Sequence, residues 1–98
     1  MKNVKLKNQE YSTPISQELS NFLKSYTSTI EWADACIATK VGTSTIRDVI
    51  YRTNSLTKSN SKAIIHLIKV AQRNAEEMSI HAKEAVEKSK KFLLVENE

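Results

Sequence analysis

Five side chains able to recognise a polyanion cluster in one short stretch: Thr43, Ser44, Arg47, Asp48 and Tyr51. With Ile46, Val49 and Ile50 set inward, these five share the outer side of one helix. Hydroxyls, a guanidinium, a carboxylate and a phenol make hydrogen bonds rather than cleave bonds. A helix carrying such a face can enter the DNA major groove, where every base pair presents a different donor and acceptor pattern. The surrounding residues 31–52, EWADACIATKVGTSTIRDVIYR, read as two short helices joined by a tight turn.

Other residues offer less chemistry. His66 and His81 stand far apart on one expected helix and point in different directions, with no cysteine near either. A metal site needs converging ligands, so both read as surface or partly packed histidines. Cys36, the single cysteine, has no basic neighbour in sequence and lies on an apolar face, which suits a small core residue. One cysteine excludes an internal disulfide and any site built from several thiolates. Glu84 and Glu87 precede Lys88 and Lys91 by four residues, the pattern of a solvated helix face. No glycine-rich phosphate loop and no nucleophile with an activating base is present, so neither an enzyme nor a cofactor is expected.

The charge is uneven. The chain of 98 residues has a net charge of +4, and residues 40–62 alone carry that excess through Lys40, Arg47, Arg52, Lys58 and Lys62 against Asp48. A localised basic patch is the electrostatic footprint of a polyanion partner. Apolar content of 40% and charged content of 27% fit one globular domain with a modest core. No apolar run reaches the ~20 residues needed to span a bilayer, and the basic N-terminus lacks a signal-like apolar stretch. A cytoplasmic location, bacterial, phage or mobile-element encoded, is the expectation.

One glycine and one proline favour an all-α chain, because a sheet would need more turn residues. Residues 1–12 read as a flexible basic tail and residues 13–75 as a helix-turn-helix domain. Thr13 and Pro14 suit the start of a first helix running to about residue 26, with Ile15, Leu19, Phe22 and Leu23 on its inner side. Ser28 and Glu31 form a capping-box pattern for a second helix, which buries Trp32, Ala35 and Cys36, with Ile30 placed on that side too. Gly42 is expected to give the turn its permissive backbone. Leu56 plugs the following loop into the core, and Thr57 or Ser59 caps a long fourth helix.

That helix repeats apolar or small residues at alternating steps of four and three: Ile64, Ile68, Ala71, Ala75, Met78, Ala82, Ala85, Ser89 and Phe92. This is a heptad seam, rich in alanine, that brings its partner close. Residues 76–98 form an extension beyond the domain, and about 76–94 exceed what so small a core can cover. They either fold back as a fifth helix or project and pair with a second subunit. Pairing is favoured, with Ala75, Met78, Ala82, Ala85 and Phe92 as the dimerisation residues.

Residues 37–49, IATKVGTSTIRDV, resemble the helix-turn-helix of phage-repressor-like regulators, the xenobiotic-response-element family. Val41 matches that family's buried turn valine, Ser44, Thr45 and Ile46 the start of its recognition helix, and Val49 the next core contact. The similarity extends over about residues 14–75. Lys40 stands where the family usually has glycine, and Gly42 where a serine cap is usual.

The resemblance implies an all-α repressor-like domain of four to five helices with a long C-terminal helix. It implies that Thr43, Ser44 and Arg47 face base edges, with Asp48 and Tyr51 beside them. Arg47 would then pair with guanine, while Asp48 either accepts from cytosine or pairs with Arg47 or Arg52. Lys40, Arg52, Thr53, Asn54, Lys58 and Ser59 would hold the DNA backbone. Trp32 would either pack in the core or donate its indole N–H to a phosphate. The function so implied is a sequence-specific double-stranded DNA-binding transcriptional regulator, a homodimer reading half-sites about one helical turn apart. The alternative is a protein-interaction module that uses the C-terminal helix and does not bind DNA.

Overall fold

A computed structural model describes residues 6 and 11–92, the side chain of Lys91 excepted. It contains four helices: α1 (Gln17–Tyr26), α2 (Thr29–Thr39), α3 (Thr43–Ile50) and α4 (Ser61–Ser89), closed by a 3-10 turn over Lys90–Phe92. No strand occurs among the described residues. The N-terminal tail falls mostly outside them. Of its described part, Leu6 packs against the core, and the Ser12 N–H donates to the Leu56 carbonyl at 2.8 Å.

Helix α1 starts at a different residue from the one its sequence suggests. Ser16 is the cap, accepting the Leu19 N–H at 3.1 Å, while the Thr13 carbonyl accepts the Leu56 N–H at 2.9 Å. That bond holds residues 13–15 extended against the loop and sets Ile15 into the core before the helix begins. Helix α2 opens on the expected capping box, with the Ser28 N–H donating to Glu31 Oε1 at 3.0 Å and the Glu31 N–H to Ser28 Oγ.

Trp32 and Ala35 are buried and Cys36 is half-buried, but Ile30 faces solvent, 74% exposed. Its position on the helix lies away from the Trp32–Ala35 line that meets α3 and α4. The Trp32 indole N–H donates to Thr27 Oγ1 at 2.8 Å, so its donor is satisfied within the fold and the ring packs in the core.

The turn between α2 and α3 does not use its glycine for conformational freedom. Gly42 has an ordinary φ of −59°, whereas Lys40 carries the left-handed φ of 62°. Lys40 directly follows the last helical residue, and its N–H closes α2 on the Cys36 carbonyl at 2.7 Å. Val41 is then driven into the core, which fixes the left-handed position at residue 40. A side chain there costs about 1 kcal/mol relative to glycine. Lys40→Gly is therefore expected to raise the melting temperature by about 4–8 °C, read by thermal unfolding. An unchanged or lower melting temperature would contradict the strained turn.

The core gathers Leu23, Ile46, Val49, Ile50, Leu56, Ile64, Leu67 and Ala71 from all four helices and the loop. Buried Ser20 donates its hydroxyl to the Ile50 carbonyl at 2.6 Å, tying the end of α3 to α1. Neither Thr57 nor Ser59 caps α4 itself. Thr57 and Asn60 instead exchange bonds (Thr57 N–H to Asn60 Oδ1 at 2.8 Å, Asn60 N–H to Thr57 Oγ1 at 3.1 Å) in a lead-in turn.

Helix α4 runs unbroken for 29 residues, about 43 Å at the ~1.5 Å rise of an α-helix. It does not fold back, and the molecule measures 65 × 28 × 24 Å. Its last tertiary hold is Asn74, whose Nδ2 donates to the Tyr26 carbonyl and to Glu31 Oε2, both at 2.8 Å. Every residue from Glu76 to Lys90 is exposed.

Candidate nucleic-acid interface

Helix α3 is strongly two-sided. Ile46, Val49 and Ile50 are fully buried, and Thr43, Ser44 and Arg47 lie exposed on the opposite side. Burial of three branched side chains under an eight-residue helix fixes its rotation, so the polar face has one direction open to it. Asp48 is half-buried at the flank, where its Oδ1 accepts the Arg47 Nε–H at 3.4 Å. Of the partners considered for Asp48, the protein itself supplies Arg47. Only Nε of Arg47 is engaged among the described residues, which leaves both terminal amino groups for a ligand.

Tyr51 follows the last turn of α3. Its ring meets Trp32 edge-on at 6.1 Å between centroids, and the Lys24 ammonium lies 5.3 Å from the ring centre. Lys24 thereby joins the recognition face from α1. Cation and ring attract through the ring quadrupole, which also steadies the phenol.

Two shallow grooves flank α3. One, of about 210 Å³, lies between Thr43, Ser44 and Arg47 and the first turn of α2 at Thr29 and Trp32. The other, of about 400 Å³, gathers Lys40, Asn54 and Ser59 with Gly42, Thr45 and Lys62. The ridge of α3 between two polar grooves can lie in a nucleic-acid groove while the flanks meet phosphates.

The remaining backbone-contact candidates are placed less uniformly. Lys58 is exposed on the lead-in turn to α4. Thr53 and Asn54 donate their N–H groups to the Asp48 carbonyl at 2.9 and 3.1 Å and remain exposed. Arg52 is bound up with the fold: its Nε donates to the Ile15 carbonyl at 2.7 Å and its Nη1 to Gln17 Oε1 at 3.3 Å. It straps the loop after α3 to the start of α1, at a left-handed φ of 65°.

Among the described residues no three His, Cys, Asp or Glu side chains converge as metal ligands would. His66 is half-buried, and exposed His81 lies 3.8 Å from Glu84. No helix among the described residues is long and apolar enough to cross a membrane. Thr29, Lys24 and Lys62 were not evident as site residues in the sequence, because only the packing of α1, α2 and α4 brings them beside α3. No family model matches the chain, and neither a curated protein nor a solved structure does.

Proposed function

We propose that the protein is a sequence-specific double-stranded DNA-binding regulator that reads the major groove with α3. The observation that carries this is the uncovered outer side of α3. Thr43, Ser44 and Arg47 stand free of the protein's own chain, on a helix whose rotation is set by Ile46, Val49 and Ile50. Basic residues lie around it rather than on the far side: Lys24 by Tyr51, and Lys40 and Lys62 along the larger groove. Binding is the whole of the action, a repressor or autoregulator occupying its site.

The test is selection from random duplex DNA followed by titration at several salt concentrations. A recovered motif and a steep fall of affinity with salt are expected, because phosphate neutralisation releases counterions. Lys58→Ala should weaken every sequence alike and reduce the salt slope by about one. No retention on DNA even at low salt would reject the proposal. It would favour the rival, an interaction module, which draws its support from the uncovered end of α4.

A further inference from the structure

We infer that residues 75–92 form a self-pairing arm and that two copies of the chain join through it antiparallel. The helical period of α4 sets Ala75, Met78, Ala82, Ala85 and Ser89 in one line, with Val86 alongside. In the closing 3-10 turn, residues three apart eclipse, so Phe92 comes over Ser89. Glu76, Glu77, Lys83, Glu84, Glu87, Lys88 and Lys90 all fall outside this line. The same line runs unbroken into Ile64 and Ala71, which the core covers. Past Asn74 nothing in the chain covers it: Met78 is 58%, Val86 60% and Phe92 76% exposed. A lone projecting helix of this length is marginal in water, so the arm needs a partner on this side.

Size and charge together select a second copy in the reversed direction. Side by side in the same direction, the arms would set Phe92 on Phe92 and Met78 on Met78, with alanine on alanine between them. Glu76 and Glu77 would also meet their own copies, as would Lys88 and Lys90. Reversed about the midpoint between Lys83 and Glu84, every layer is mixed. Phe92 meets Ala75, Ser89 meets Met78, and Ala85 meets Ala82, which evens the spacing of the axes. The same reversal lays Lys90 of each copy beside Glu76 of the other. Lys90 now holds Glu87 at 3.0 Å, but that pair is exposed, and exposed pairs are weak enough to exchange.

A separate observation falls at the end of the arm. A groove of about 350 Å³ opens beside Ala75, bounded by Ser25, Tyr26, Glu31, Glu77 and Met78. The reversed arm delivers Phe92 of the second copy to the mouth of this groove and Lys90 to its acidic rim. The two helical domains then sit at opposite ends of a rod, with their Leu67 positions about 50 Å apart along α4. That separation exceeds the ~34–36 Å of one DNA turn, so on the DNA reading above the half-sites are spaced wider than one turn.

The test uses the full chain and no DNA, so it stands or falls independently of that reading. Sedimentation equilibrium should show a dimer. Met78→Glu should raise the dissociation constant about tenfold or more, since a charge buried in an apolar seam is costly. Ile80→Glu, on the opposite side of the same helix, should leave it unchanged, and circular dichroism should show both variants folded. In a Cys36→Ala background, mild oxidation of mixed Ala82→Cys and Ala85→Cys chains should cross-link the two kinds to each other more than either to itself. Monomer at every concentration up to the millimolar range, or equal weakening by both glutamates, overturns the self-pairing. Self-cross-linking of Ala85→Cys as strong as that of the mixture overturns the antiparallel direction.

Discussion

Ile46→Ala is expected to lower the unfolding free energy by about 2–5 kcal/mol, the range for truncating a fully packed isoleucine. Ile46 has no exposed surface and sits where α3 meets the rest of the core. Its loss removes apolar contacts and leaves a void that the neighbouring Val49, Ile50 and Ile64 cannot close without moving α3. For a domain of this size the total stability is about 5–15 kcal/mol, so the loss is a large share of it. Urea unfolding of Ile46→Ala beside Ile46→Val measures it, the valine costing about 0.5–1.5 kcal/mol. Equal and small costs for both would mean that α3 is held by something other than its inner face.

Arg47→Ala is expected to cost about 1–3 kcal/mol of binding to the selected sequence and to relax the preference at one base pair. The reason lies in what the side chain does in the free protein. Its one described bond is the exposed Nε contact to Asp48 at 3.4 Å. Exposed ion pairs contribute roughly 0–1 kcal/mol to stability, so the variant should unfold as the parent does. Unfolding and binding are thereby separated, as they are not for Ile46. Equal loss on selected and random duplexes would move Arg47 from base reading to phosphate contact.

How much of this was legible in the sequence depends on the kind of signal. The inner face of α3 and the capping box of α2 rest on short-range pattern, and Ile46, Val49, Ile50, Ser28 and Glu31 stand where that pattern puts them. The all-α class followed from the scarcity of glycine and proline. Ile30 was misjudged because α2 is apolar over much of its circumference, with Ile30 and Ile37 outside and Trp32 and Ala35 inside. Period alone does not choose a face there.

The cap at Ser16 and the strap at Arg52 were hidden for another reason. Both depend on contacts between segments distant in the chain: Thr13 with Leu56, and Arg52 with Ile15. In the turn, residue type misled. Glycine is the usual occupant of a left-handed position, yet the burial of Val41 placed that position on Lys40. Of the candidate site, the α3 face was readable. The additions of Lys24, Thr29 and Lys62 were not, since their nearness to α3 exists only after α1, α2 and α4 have packed.

The absence of any break in α4 makes it a torsional shaft. The helix that lines the core is the same one that leaves it, with no hinge residue between Asn74 and Ser89. One residue added after Asn74 would swing the far end by about 100°, the angular step of an α-helix at ~3.6 residues per turn. Seven would return it to within ~20° while lengthening the shaft by two turns. Lineages of this chain that drift in length there should do so in whole heptads.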